Sequence, residues 1–438
     1  NIVINNSLRI KGKITYLKGN QVSFNTISVI GLGYIGLPTA AMFASRKIKV
    51  IGVDVNQHAV DTINRGQIHI VEPDLDMLVH AAVTEGFLKA VTTPEPADAF
   101  LIAVPTPFKA SKSKESGTEI PEPDLTYIKS AAKAIAVVLK KGDLVILEST
   151  SPVGATEQMA EWLAEARSDL SFPQQAGETA DVNVAHCPER VLPGHVVREL
   201  VDNDRVIGGM TAKCSERAIE LYKAFVKGEC VTTNARTAEM AKLTENSCRD
   251  VQIAFANELS MICDKLDIDV WELISLANRH PRINILQPGP GVGGHCIAVD
   301  PWFIVSKTPE QAQLIHTARK VNDYKPTAVA ETIVKKAKEL GVNKVTCLGV
   351  AFKPDIDDLR ESPAIEIINI LARTGLEIDL VEPNISSLSE GLLGKVSLTP
   401  LDACISSSQT GVIAILVASN NTVINAQYAK INVDADFN

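Results

Sequence analysis

The stretch TISVIGLGYIGLPTAAMFASRKIKVIGVDVN, from Thr26 to Asn56, decides the fold class. Its opening TISVIG is β-branched and apolar, the pattern of a strand buried on both faces. LPTAAMFASRK then reads as a helix and KVIGVDVN as a second strand. Between the first strand and the helix stand Gly31, Gly33 and Gly36, spaced G-x-G-x-x-G. The spacing means little alone, but after a buried strand and at a helix start it is a dinucleotide fingerprint. The first glycine permits a tight turn, the second lets a pyrophosphate reach the backbone, and the third lets helix and strand close up. The helix N-terminus then faces the phosphates with its partial positive charge. Asp54 ends the second strand, about twenty residues on, where a carboxylate takes ribose hydroxyls and repels a 2′-phosphate. NAD is therefore expected over NADP, contacted by Gly31, Gly33, Tyr34, Ile35, Gly36 and Asp54.

The alternation continues outward. AFLIAVPTP, DLVILEST and DVNVAHCPE read as further strands, with helical stretches between most of them. Alternating strands and helices imply a parallel, doubly wound sheet. VPTP places Thr106 at a strand end, where the nicotinamide half of the cofactor would lie. The polar, proline-containing segment from Lys109 to Asp124 reads as a surface loop. From Thr237, TAEMAKLTENSCRDVQIAFANELSMICDKLDI keeps helical periodicity without Pro or Gly. A helix of about 30 residues is long for a compact domain and more often bridges domains or builds a subunit interface. Strand, helix and strand then recur as KVTCLGVAF, SPAIEIINILARTG (ending at Gly375) and EIDLVEPN, with LVEPN standing where IGVDVN stood.

The expected architecture is α/β: two Rossmann-like doubly wound domains joined by a long central helix and a helical dimerisation segment. The boundaries expected are 25–210 for the NAD-binding domain, 211–325 for the central helical domain and 326–438 for the second nucleotide-fold domain. Residues 1–24 show no signal-peptide core or cleavage site and are set aside as an extension without assigned function. Such a chain, of 438 residues, is too long for one ordinary core. With 45% hydrophobic and 22% charged residues it has a globular composition, and its net charge of −9 argues against a general nucleic-acid role. No apolar run approaches the roughly 18 residues of a membrane helix. The eight cysteines form no C-x-x-C pair, which fits reduced thiols in a cytoplasmic protein. The adjacent pairs His186-Cys187 and His295-Cys296 are poorly placed to converge on a metal, so no metal is expected.

A second unusual stretch, GPGVGGHCIAVDP, runs from Gly289 to Pro301. Four glycines lead to Cys296, and Asp300 follows four residues later. A thiol beside a hydride acceptor suggests covalent handling of an aldehyde. Bare backbone leaves room for ligands and offers N–H groups to an oxyanion. The other cysteines read as buried and inert. Lys242 and Asn246, spaced i, i+4, share one face of the long helix. Lys353 in FKP and Arg360 in LRESP follow the next strand, where strand carboxyl ends bind ligands, and could grip a second diphosphate. A simple hydroxyacid dehydrogenase would need no such thiol and would make one NADH per turnover.

GLGYIGLPTA, VPTP, ESTSPVG, CPERVLPG, EMAKLTENS, GPGVGGHCIAVDP and FKPDIDDLRESP occur in this order between Thr26 and about Val417. On these stretches the chain resembles the nucleotide-sugar 6-dehydrogenases, the UDP-glucose/GDP-mannose dehydrogenase family. RTAEMAKLTENS, RHPRINILQPGPGVGGHCIAVDPWF and TINRGQIHIVEPDL resemble its members that act on UDP-N-acetylhexosamines. UDP-glucose enzymes carry Ser before the cysteine and Phe-Pro-Lys-Asp after it, whereas His295 and Ala298-Val299-Asp300 stand here. The resemblance implies a four-electron oxidation of the sugar C6 alcohol, using two NAD in sequence, through a thiohemiacetal and a thioester on Cys296. The manno sugar is the first expectation, with the N-acetylglucosamine nucleotide and then UDP-glucose as alternatives.

The resemblance also implies residue roles. Lys242 and Asn246 would stabilise the alkoxide and oxyanion, Asp300 would orient water or relay protons, Glu189 would assist thioester hydrolysis, and Thr150 would position water beside the cofactor. The family often has a second Glu four residues after the Glu189 position, where this chain has Pro193. Arg190, Val191, Lys242, Asn246, Gly293, His295, Lys353 and Arg360 would contact substrate. Arg282 resembles an arginine inserted from a neighbouring subunit, which implies at least a homodimer.

Overall fold

The structure is a computed structural model that describes residues 24–70, 72–109, 120–192, 194–294, 296–351, 359, 361–382, 385, 392, 396–400 and 412–416. Its backbone divides into two compact units, one holding residues 24–104, 128–148 and 157–235, the other the remaining described residues. The loop expected at 109–124 lies mostly outside the described residues, although Phe108 and Pro123 form a β-bridge at its base.

Among the described residues the first unit has eight strands: β1 (Thr26–Ile30), β2 (Lys49–Val53), β3 (Leu88–Val91), β4 (Ala99–Ile102), β5 (Leu144–Leu147), β6 (Asn183–His186), β7 (Arg205–Gly209) and β8 (Cys230–Asn234). They pair in the order β3-β2-β1-β4-β5-β6-β7-β8. The first six follow the doubly wound order in which dinucleotides bind where the strand order reverses. All pairings but one are parallel, and β6 with β7 is antiparallel. An antiparallel addition beyond a parallel core is common because only the central strands need helices on both faces. Phe100, Leu101 and Ile102 of β4 and all of β5 are fully buried, as continuous apolar runs in such a centre require. β8 is the exposed far edge, and its chain continues directly into the helix Ala235–Leu266.

That helix has 32 residues, close to the length read from TAEMAKLTENS onward. A second long helix, Gln313–Glu339, was not singled out in the sequence, because Pro326 lies inside it and an interior proline usually ends a helix. Among the described residues, the second unit's sheet contains β9 (Lys344–Leu348), β10 (Glu377–Val381), β11 (Val396–Leu398) and β12 (Val412–Ile415), all parallel, in the order β11-β10-β9-β12. This repeats the β3-β2-β1-β4 order of the first sheet. The repetition extends to single hydrogen bonds. Asp54, directly after β2, accepts the Leu32 N–H at 2.9 Å, and Glu382, directly after β10, accepts the Val350 N–H at 3.0 Å. In both units an acidic residue after the second strand pins the turn after the first. The helix Pro363–Arg373 lays Ile367, Ile368 and Leu371 against Val345, Leu380 and Val412 to close the second core.

Gly36 shows how tightly the first turn is built. A Cβ there would fall 1.8 Å from the Gly31 carbonyl oxygen, a backbone atom that cannot swing aside. Gly36→Ala is expected to cost about 3 kcal/mol through overpacking. A urea midpoint equal to that of the wild type would show that the turn relaxes.

Candidate active site

In the first unit the turn after β1 meets the requirements of a dinucleotide crook. Gly31 adopts φ +91°, and a Cβ on it would lie 2.6 Å from the Ala103 carbonyl oxygen. Gly33 differs: it is exposed, and a Cβ there would meet nothing within 4 Å. Two glycines are thus fixed by the protein's own packing, while the middle one leaves backbone open to a ligand, as a pyrophosphate needs. Ile35 is the residue before the helix Gly36–Ser45, and Tyr34 is exposed beside it. The Asp54 carboxylate accepts the Leu32 and Asn56 N–H groups, each at 2.9 Å, one on each oxygen. A carboxylate has about four lone-pair sites, so capacity remains for ribose hydroxyls. The donor set fits NAD.

His69, which the sequence reading passed over, lies within electrostatic reach of Asp54. Its Nδ1 is buried without a hydrogen-bond partner, and burial holds the imidazole below its ordinary pKa.

Glu189 and Arg190 follow β6 in the same unit. Glu189 is nearly buried, and both its oxygens are engaged, Oε2 with Arg205 Nη2 at 2.8 Å and Oε1 with the Arg190 N–H at 2.7 Å. The Arg205 guanidinium lies 4.4 Å from the centre of the Tyr222 ring and 3.9 Å from Glu148. Tyr222 donates to Glu148 Oε1 at 2.5 Å. One arginine therefore serves two buried carboxyls, and burial pushes Glu148 up to about 7. Sequence alone missed this cluster, although Glu148 opens the quoted ESTSPVG. Val191 packs on the main core beside Arg190, and Arg190 donates from Nη1 to the Asp204 carbonyl at 3.2 Å.

In the second unit the long helix brings three of the expected residues together. Asn246 donates to Asp300 Oδ2 at 2.5 Å, and the Lys242 ammonium draws the Asp300 pKa down electrostatically. Burial dominates nonetheless and lifts Asp300 to about 6. The Asp300 N–H donates to the Cys296 carbonyl at 2.9 Å, so the helix Asp300–Lys307 starts one turn after the thiol. Cys296 is exposed, while Cys187 and Cys347 are buried with thiols pushed up to about 12. Gly293 is half-buried in the same loop.

At Gly291 the bare backbone answers to packing: φ is +151°, and a Cβ would lie 2.7 Å from Pro363 Cβ and 3.0 Å from Pro326 Cγ.

Thr150 is half-buried in a loop whose later residues are clamped to the long helix. The buried Glu239 carboxylate accepts the Gly154 N–H at 2.6 Å and the Thr156 N–H at 2.8 Å. The Thr106 hydroxyl is buried without a hydrogen-bond partner. Arg282 is exposed. His295, Lys353 and Arg360 lie outside the described residues.

Comparison with known proteins matches this arrangement along nearly the whole chain. Three domain models of the UDP-glucose/GDP-mannose dehydrogenase family match in order: the NAD binding domain at residues 25–226, the central domain at 236–324 and the UDP binding domain at 346–432. A UDP-N-acetyl-D-mannosamine dehydrogenase of Campylobacter jejuni is 66% identical over 395 residues, 90% of this chain and 95% of that protein. An NDP-N-acetyl-D-galactosaminuronic acid dehydrogenase of Ralstonia nicotianae is 61% identical over 415 residues, 94% of each. The solved structure of a UDP-D-ManNAc dehydrogenase from Pyrococcus horikoshii is 38% identical, covers 90% of this chain and 89% of its own, and superposes with a TM-score of 0.78.

The thiol environments predict an order of reactivity, since the thiolate is the nucleophile and exposure governs access. With iodoacetamide near pH 8, Cys296 and the exposed Cys248 are expected to label while Cys187 and Cys347 stay unmodified. Peptide mass mapping checks this, and early labelling of Cys187 or Cys347 would contradict the burial described.

Proposed function

The chain belongs to the UDP-glucose/GDP-mannose dehydrogenase family, an NAD-dependent oxidoreductase family, and on that premise we propose that it oxidises C6 of UDP-N-acetyl-D-mannosamine to the uronate. The observation that carries the reading is an exposed thiol on a glycine-rich loop, one helical turn from a buried carboxyl that Asn246 and Lys242 face. The Campylobacter relative's name supports the manno sugar. The Ralstonia relative's name favours a second reading, a galacto-configured N-acetylhexosamine.

Bound NAD supplies the hydride acceptor for both oxidations. Gly33 leaves backbone open toward its pyrophosphate, and Asp54 takes its ribose. Lys242 and Asn246 donate toward the C6 oxygen as charge develops there. Cys296 adds through sulfur to the aldehyde carbon, giving a thiohemiacetal. Removal of a second hydride leaves a thioester, and water cleaves the C–S bond to release the uronate and restore the thiol. Asp300, with its raised pKa, holds or gives up a proton near neutrality and orients that water. Glu189, fixed by Arg205, assists hydrolysis, and Thr150 positions water. Arg190, Val191, Gly293, His295, Lys353 and Arg360 contact substrate. A cytoplasmic homodimer belongs to the same reading: Phe255, Ile262 and Leu266 leave apolar surface along the long helix, and Arg282 is exposed for a partner.

NADH formation with UDP-ManNAc, UDP-GlcNAc and UDP-GalNAc side by side tests the sugar. Two NADH per uronate with UDP-ManNAc foremost is the expected outcome, and one NADH per product would refute the four-electron oxidation. Cys296→Ser is expected to abolish uronate formation with NAD affinity intact; equal loss of both would make the cysteine structural. Asp300 is neutral below its pKa of about 6 and ionised above it, so kcat is expected to rise with pH through that value. Asp300→Asn should flatten this limb, and a limb unchanged in the variant belongs to another group.

A further inference from the structure

The loop that carries Cys296 has few side chains with which to pack, yet both its ends are held. At its start the Gly289 N–H donates to Asn257 Oδ1 at 2.9 Å. Just past the thiol, the Ile297 carbonyl accepts from Arg319 Nη1 at 3.5 Å. Asn257 lies on the long helix and Arg319 on the Gln313–Glu339 helix, and one buried chain of hydrogen bonds joins them. Asn257 Nδ2 donates to Asn322 Oδ1 at 2.9 Å. Asn322 Nδ2 donates to Asp250 Oδ1 at 2.8 Å and to the Asp250 carbonyl at 3.0 Å. Asp250 Oδ1 also accepts from Arg319 Nη1 at 2.5 Å. Asp250, Asn257, Arg319 and Asn322 are all essentially without solvent exposure.

The direction of this chain follows from donor and acceptor chemistry. An ionised carboxylate accepts only, and a guanidinium donates only. The Asp250 carboxylate therefore turns the Asn322 amide so that its NH₂ faces Asp250 and its oxygen faces Asn257. That oxygen in turn demands the NH₂ of Asn257, which leaves the Asn257 oxygen for Gly289. One ion pair thus sets two amide orientations and presents an acceptor to the loop. Network orientation of this kind is lost if any member is removed, because each remaining buried polar group is left unpaired.

We propose that Asp250, Arg319, Asn322 and Asn257 are positioning residues for Cys296, holding the Gly289 and Ile297 ends of its loop so that the sulfur meets the aldehyde carbon. The inference rests on the reading of Cys296 as the nucleophile. Misplacement of a reacting group by about 1 Å costs about 100-fold in rate. That loss falls on the step the thiol performs. The first oxidation, from alcohol to aldehyde, needs no sulfur, so a displaced thiol lets the aldehyde accumulate.

Two variants of the full chain test this, each assayed with UDP-ManNAc, NAD and hydroxylamine as a carbonyl trap. Asn257→Ala removes the acceptor of Gly289, and Arg319→Lys keeps a cation beside Asp250 but gives up the reach to Ile297. Each is expected to slow uronate formation about 100-fold and divert product to the trapped oxime. Each should also change the iodoacetamide labelling rate of Cys296, with NAD affinity unchanged. A merely structural loss would lower NAD affinity and aldehyde formation together, with no change in the oxime share, and would overturn the proposal. So would wild-type uronate yield and labelling in Arg319→Lys, which decides the matter if Asn257→Ala does not fold. Cys296→Ser run in parallel separates the two readings: uronate formation at the wild-type rate in that variant sinks the thiol's role itself, whatever the network does.

Discussion

Hydrogen bonds from loop N–H groups to side-chain oxygens recur in the loops that carry candidate residues. Asp54 holds the glycine-rich turn at Leu32, and Glu72 holds Gly194 and Val196 beyond Glu189. Glu239 holds Gly154 and Thr156 after Thr150, and Glu382 holds Val350 and Ala351 after β9. The Cys296 loop is held at Gly289 by the Asn257 amide, which Asn322 links to the Asp250 carboxylate. A loop that must offer bare backbone to a ligand cannot bury large side chains of its own. Its order then comes from satisfying its backbone groups, which are costly to leave unpaired away from water.

Burying carboxylates has a consequence for the chemistry. Desolvation disfavours the charged form, so carboxyls without full compensation move toward neutrality. Asp300 and Asp250 rise to about 6 and Glu148 to about 7, each with burial as the leading cause. Asp250 keeps Arg319 as its partner, and Glu148 shares Arg205 with Glu189. Asp300 has only an amide and a more distant ammonium. Of the three, Asp300 is the one within a helical turn of Cys296, which suits it to the proposed hydrolytic step.

The two units solve the same problem twice. Each places a β-strand, a turn and a helix in the same order, and each pins that turn with an acid after the neighbouring strand. The residue differs, Asp54 in one and Glu382 in the other, because the hydrogen-bonded geometry asks only for a carboxylate within reach. The helices Ala235–Leu266 and Gln313–Glu339 differ from this repeat, since their buried faces carry a polar network rather than only apolar packing.

The sequence by itself determined the parts whose signals are contiguous. Gly31, Gly33, Gly36 and Asp54 fall within one strand–helix–strand unit, so their spacing alone placed the cofactor turn. Cys296 and Asp300 share one short stretch, and Lys242 with Asn246 fall on one helix face, so each pair was legible locally, whereas the meeting of the two pairs at the Asn246–Asp300 hydrogen bond spans 54 residues and came only with folding. Short or mixed segments were harder: β3 contains Lys89 and β7 begins with Arg205 and ends in glycines, which blurs a strand pattern. Tertiary structure alone decided the meaning of Arg319, Arg205, Asp250 and Glu148. In a sequence such residues read as solvated charges, because nothing local distinguishes a charge in water from one held in the interior. Their burial, and the partners that make it tolerable, come from segments distant in the chain, and only folding brings those segments together.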